Sequence, residues 1–112
     1  MIRTVLDMKV REGCATAFER AWRDAAAVAA GYPGAIAQTM LRSPDDPLRY
    51  TITADWASRA SLTAYQLSED RKTLSATLDQ LRESAAKSLL DIVAHVSSPT
   101  APVPTTKGTV LT

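Results

Sequence analysis

Tyr50-Thr51-Ile52-Thr53-Ala54-Asp55-Trp56 alternates a polar residue with an apolar or aromatic one and ends on a tryptophan. A two-residue period is the mark of a strand with one buried face. Leu48, Tyr50, Ile52, Ala54 and Trp56 fall on one side, and Arg49, Thr51, Thr53 and Asp55 on the other. A helix begins almost at once. Ser58 suits the N-cap, and the helical stretch runs to about Ser68 with Leu62 and Tyr65 on it. The junction therefore sets a large aromatic where a strand turns into a helix.

Working outward, residues 1–10 alternate Ile2, Thr4, Leu6, Met8 and Val10 with Arg3, Val5, Asp7 and Lys9, and read as a first strand. Arg11-Glu12-Gly13 is a turn. Residues 14–30 read as a helix with Phe18, Ala21, Trp22, Ala25, Val28 and Ala29 on its inner face. Gly31-Tyr32-Pro33-Gly34 stops it, because glycine suits the C-terminal cap and proline cannot continue the ladder. Residues 35–43 are a second strand, and Ser43-Pro44-Asp45-Asp46-Pro47 is the turn into the third. A further helix is expected over 70–84, with Leu74, Leu78, Leu81 and Ala85 as its stripe. A last strand is expected over 88–97, where Leu90, Ile92, Ala94 and Val96 oppose Asp91, Val93 and His95. Residues 98–112, rich in proline and threonine, form a tail.

The order is β-α-β-β-α-β, the ferredoxin-like α+β sandwich, with a domain over 1–97. Helices cover one face of its antiparallel sheet. A chain of 112 residues is short enough to gain from oligomerisation, and the open sheet face is where two copies would meet.

Composition narrows the function classes. The net charge is +1, and Lys and Arg are interleaved with Asp and Glu, so no basic stripe marks a nucleic-acid binder. No apolar run approaches bilayer length, no signal peptide opens the chain, and the expected compartment is the cytoplasm. Cys14 is the single cysteine and His95 the single histidine. Neither a disulfide nor a Cys/His metal site follows, so no metal is expected. Cys14 starts a helix but has no base motif around it, and reads as a packed small residue. No Gly-rich loop cradles phosphates, which leaves any flavin as a loosely bound co-substrate.

Together, Met8-Lys9-Val10-Arg11-Glu12-Gly13, the helix with Phe18 and Trp22, Tyr32-Pro33-Gly34 and Trp56 resemble the antibiotic biosynthesis monooxygenase family of small dimeric α+β-barrel proteins. The resemblance covers about residues 1–97 and implies a homodimer. Members oxidise aromatic polyketides, shuttle quinols or degrade haem, so the fold alone does not fix the reaction. The aromatic polyketide branch is the most similar. Its anthrone oxygenases use molecular oxygen without a cofactor and carry an asparagine on the third strand, a tryptophan four residues later and a tyrosine six beyond. Trp56 matches the tryptophan; Ile52 and Leu62 stand at the other two places. Arg3-Thr-Val-Leu6, Phe18-Glu-Arg-Ala-Trp22 and Leu90-Asp-Ile-Val-Ala-His95-Val96 resemble the angucycline ring-opening oxygenases, in which reduced flavin (FAD or FMN) or a hydroquinone assists.

Trp56, Tyr65 and His95 are the catalytic candidates: an aromatic wall, a hydroxyl near the family's tyrosine place, and the one side chain that titrates near neutrality. Trp22, Phe18, Tyr50, Tyr32, Ile52 and Leu62 are the substrate-binding candidates. Strand alternation puts His95 on the outer face with Asp91, and Arg49, Asp55 and Asp7 share that face. The expected function is oxygenation of a polycyclic aromatic polyketide intermediate. A non-oxidative cyclase or aromatase, and a non-catalytic dimeric binding module, are the alternatives.

Overall fold

The structure, a computed structural model, describes residues 1–99. Of the tail expected over 98–112, everything from residue 100 on lies outside the described residues. The elements are β1 (Ile2–Val10), α1 (Ala15–Ala29), β2 (Ala35–Arg42), β3 (Arg49–Trp56), α2 (Arg59–Gln66), α3 (Glu69–Leu81) and β4 (Arg82–Asp91). The four strands form one antiparallel sheet in the order β2-β3-β1-β4, the ferredoxin-like arrangement.

Register turns the alternation of each strand into rows across the sheet. Residues directly opposite one another share a face. Ala35, Trp56, Ile2 and Asp91 make the first inward row, Gln38, Ala54, Thr4 and Leu89 the second, Met40, Ile52, Leu6 and Lys87 the third, and Arg42, Tyr50, Met8 and Ala85 the fourth. A register shift between Ala35 and Ala37 lets β2 put Gln38, rather than Ala37, on the inward face.

The inward rows feed two core clusters. One gathers Ile2, Ala29, Ala54, Trp56, Leu62 and Tyr65. The other gathers Met8, Val10, Phe18, Tyr50, Ile52 and Leu78, with Trp22 and Leu74 packed against it. Phe18 and Tyr50 meet at a ring-centroid distance of 5.2 Å, and the Tyr50 hydroxyl donates to Glu19 Oε2 at 2.6 Å. Burial first, then the Glu19 carboxylate, pushes the Tyr50 phenol above its ordinary value. Tyr50→Phe should therefore lower stability by about 1.5 kcal/mol in urea unfolding, the scale for a hydrogen bond to a charged group.

On the outer face, Arg3 and Asp55 are cross-strand partners and form a two-pronged ion pair, with N···O distances of 2.6 and 2.9 Å. The Arg3 hydrogen bond is the main reason that the Asp55 carboxyl sits below its ordinary value; desolvation opposes it, and the Arg3 charge adds to it. A depressed carboxyl contributes stability above its unfolded pKa of about 3.9, and that contribution disappears as pH falls through the folded value. Asp55→Asn should accordingly flatten the acid limb of a urea-midpoint profile below about pH 4 and leave its neutral limb parallel to the parent.

Two expectations about the C-terminal third need correction. The helix expected over 70–84 ends at Leu81, and Ala85 lies on β4 opposite Met8 rather than on a helix stripe. The strand expected over 88–97 occupies Arg82–Asp91 instead. Alternation of Leu90, Ile92, Ala94 and Val96 suggested the later placement, but the ladder along β1 decides. Pairing starts at Val10–Arg82 and is used up at Ile2–Asp91, where Ile92 N–H still donates to the Met1 carbonyl. Arg11 N–H donates to the Leu81 carbonyl and holds the helix-to-strand join at the far end. Tertiary pairing thus overrides the weak strand propensity of Arg82–Lys87. Past the ladder, Val93 and Val96 are 94% and 92% exposed, and His95 belongs to no strand.

Candidate functional site

Trp56 is fixed from three sides. Its strand pairs with Ile2 and Ala35, and it is 1% exposed. The next residue, Ala57, donates its N–H to the Gly34 carbonyl at 2.8 Å. Ser58 then caps α2 in a capping box: its hydroxyl accepts from Ser61 N–H, and the Ser61 hydroxyl accepts from Ser58 N–H. Near the C-terminal end of α2, Tyr65 lies almost parallel to Trp56, with centroids 5.1 Å apart and planes at 23°. Tyr32 meets Tyr65 edge-on at 5.0 Å, and its hydroxyl donates to Asp70 at 2.6 Å. The stack is thereby held by contacts to both of its rings.

Beside this stack the two core clusters leave a seam, and the seam is a cleft. Thr4, Leu6, Ile52, Ala54 and Gln38 form its floor from the second and third inward rows, with Trp56 at one end. Trp22 of α1, Leu62, Tyr65 and Gln66 of α2, and Arg71, Leu74 and Leu78 of α3 form its walls; Lys87 of β4 completes the ring. The cleft encloses about 70 Å³, and about 600 Å³ once the space open to solvent is counted. The enclosed part is well below the ~300–1,000 Å³ of a drug-sized ligand site, so a multi-ring ligand requires α2 and α3 to ease away from the sheet. Burial raises the Tyr65 phenol above its ordinary value; the charge of Arg71 opposes this, while Tyr32 and Asp70 add to it. Burial lowers the Lys87 ammonium, and Arg71 lowers it further.

The cleft brings together Trp22, Ile52, Trp56, Leu62 and Tyr65 of the expected residues. Phe18 and Tyr50 lie below it in the second core cluster, and Tyr32 stands behind Tyr65. His95 is exposed and placed beyond β4, where its Nε2 lies 2.9 Å from the Ser97 hydroxyl; it lines no part of the cleft. Among the described residues no cluster of three or more His, Cys, Asp or Glu could hold a metal ion.

Four polar lining residues were not found in the sequence: Gln38, Gln66, Arg71 and Lys87. Gln38 was legible only as the one amide among the small and apolar residues of its strand. Lys87 was hidden by the late placement of the last strand. Arg71 lies in the first turn of α3, after the acidic Glu69 and Asp70, and nothing in the sequence set it apart.

The fold is that of known proteins. SnoaB, a cofactor-independent oxygenase from Streptomyces nogalater, superimposes in a variant form with a TM-score of 0.80 at 21% identity, covering 87% of this chain and 97% of that one. A Nitrosomonas europaea protein assigned to the antibiotic biosynthesis monooxygenases gives 0.77 at 21% identity, over 84% and 100%. A Caulobacter crescentus protein with the same assignment gives 0.77 at 26% identity, over 83% and 90%. Comparison with curated proteins gives no match. The model of the antibiotic biosynthesis monooxygenase family matches residues 1–77, more than half of the sequence, and the chain belongs to that family.

Proposed function

We propose that the protein is an oxygenase of a polycyclic aromatic polyketide intermediate, acting as a homodimer in the cytoplasm. The observation that supports this best is the Trp56–Tyr65 stack, set edge-on to Tyr32 at the end of an apolar cleft. A flat ring entering the cleft would extend that stack, and an aromatic pair contributes about 0.5–1.5 kcal/mol beyond its buried area. The outer sheet face supports a homodimer: Leu41 and Leu90 share it and are 50% and 54% exposed.

In the proposed reaction the cleft strips water from a phenolic substrate and holds its plane against Trp56, with Trp22 on the opposite wall. The Tyr65 hydroxyl, which makes no hydrogen bond among the described residues, handles the phenolic proton. Oxygen then adds to the electron-rich ring carbon. In quinone formation a ring CH2 becomes C=O, one oxygen atom leaves as water, and the substrate supplies all four electrons. Oxidative ring cleavage of the angucycline type also sends one oxygen atom to water and needs two further electrons. Reduced flavin or a substrate hydroquinone would supply them, with the flavin as co-substrate. The absence of a Gly-rich phosphate-binding loop from the sequence does not suit a resident flavin.

The test is aerobic incubation with anthrone and angucycline intermediates, with and without reduced flavin, read by product mass. A gain of oxygen or loss of hydrogens is the expected result, and flavin dependence would select the assisted route. Loss of water alone would identify a cyclase; no enzyme-dependent product would overturn the oxygenase reading. Trp56→Phe should retain the fold and raise KM about tenfold with kcat nearly unchanged, because uniform binding is lost rather than a contact made only in the transition state.

A further inference from the structure

Gln38 occupies an inward position on β2 in a row with Ala54, Thr4 and Leu89. Its Nε2 is buried and has no hydrogen-bond partner, while its side chain lines the cleft. A buried donor left unmade is destabilising, and an apolar residue of similar size would avoid the cost. A ligand oxygen in the cleft would supply the missing acceptor.

The opposite side of the same cleft carries positive charge. Lys87 projects from β4 beside Leu6, and Arg71 from α3; both also line a second, more open hollow. Neither forms an ion pair among the described residues, although Arg71 donates to the Ser75 hydroxyl. No Asp, Glu or His lines the cleft, and Asp79, the acid of the neighbouring hollow, is paired with Arg82 at 2.6 Å. Two cations without ion-pair partners among the described residues, facing an apolar aromatic cleft, are the environment of an anionic ligand group. The strands bearing Gln38 and Lys87 are three strand spacings apart, roughly 14 Å, which is the scale of a fused multi-ring system rather than of a single ring.

Resting on the reading of the cleft as an aromatic-substrate site, we propose that it selects a planar multi-ring ligand with two oxygen functions. An anionic oxygen lies between Lys87 and Arg71 at the mouth, and a carbonyl oxygen accepts from Gln38 Nε2 at the far side.

Three probes separate the two contacts: anthraquinone-2-carboxylate, its neutral 2-carboxamide, and anthracene-2-carboxylate, which lacks the ring carbonyls. Binding is read without oxygen by quenching of the two tryptophans, Trp22 and Trp56, so that turnover plays no part. The parent should bind the anthraquinone acid about tenfold more tightly than the amide, with a preference that shrinks as salt rises. Lys87→Gln and Arg71→Gln should each reduce that preference to about threefold or less. Gln38→Leu should weaken the anthraquinone acid about tenfold, leave the anthracene acid unchanged, and raise the thermal midpoint. A purely structural role for Gln38 would not produce the ligand-selective loss. Equal affinity for acid and amide, an equal effect of Gln38→Leu on both acids, or no binding of any probe would overturn the proposal. Intact selectivity with no oxygenated product would count against the oxygenase reading alone.

Discussion

Replacing Trp56 with alanine should cost about 3–5 kcal/mol in urea or thermal unfolding, the range for truncating a large buried aromatic. The indole is 1% exposed and is the largest fully buried side chain. It packs with Ile2, Ala29, Ala54, Leu62 and Tyr65, so its removal opens a void between three strands and α2. The ring cannot be replaced by inward collapse, because both cross-strand neighbours are held in the ladder. Against a total stability of roughly 5–15 kcal/mol for a domain, a loss of that size removes a large share of the stability. Trp56→Phe fills most of the void and should cost less than half as much. A cost below about 1 kcal/mol for Trp56→Ala would contradict tight packing of the indole at 1% exposure.

Gly34→Ala should be the second severe change, by about 2–5 kcal/mol. Gly34 has φ +85°, and a Cβ there would come within 2.4 Å of both Cβ and Oγ of Ser61. The left-handed backbone alone costs an alanine about 1–2 kcal/mol, and crowding adds about 1–3. Ser61 cannot swing aside freely, since its hydroxyl accepts from Ser58 N–H at 3.2 Å as part of the α2 capping box. The same glycine accepts from Ala57 N–H, so the strain would reach the join that sets Trp56. Gly13 provides the control: it has φ +81° with nothing within 4 Å of an added Cβ. Gly13→Ala should show the backbone cost alone, about 1–2 kcal/mol, and the difference between the two variants measures the clash with Ser61. Equal losses in the two would show that Ser61 yields without cost.

The strand-to-helix junction was legible in the sequence because each local signal agreed. Strict alternation from Leu48 to Trp56 set the inward face, and Ser58 capped the next helix as its side-chain chemistry requires. The first strand and first helix were legible for the same reason. The end of the sheet was not, because Leu90, Ile92, Ala94 and Val96 carry a good strand pattern where β1 no longer offers partners. A pattern can show that a segment suits a strand, but only the partner's length says where pairing stops. His95 lies past that strand rather than on it, although its charge still reaches Asp55 on the outer face.

The aromatic side of the cleft was legible as well, since Trp22, Ile52, Trp56, Leu62 and Tyr65 all point into it. Its polar side was not. Gln38 faces inward because of a register irregularity that no residue type announces, and Lys87 faces the cleft only once Arg82–Asp91 is known to be the last strand. Aromatics at helical or strand spacing advertise a buried face, whereas single polar residues gain meaning only from what lies across from them.

Oxygen-18 labelling distinguishes oxygenation from every other reading of the cleft. The protein is incubated under ¹⁸O₂ with an anthrone that it converts, and both product and water are analysed by mass. The expected result is one labelled oxygen atom in the quinone product and one in water for each turnover, reduced at subsaturating substrate by Trp56→Phe. A product without label, or one formed equally well in the absence of oxygen, would contradict an oxygenase at this site.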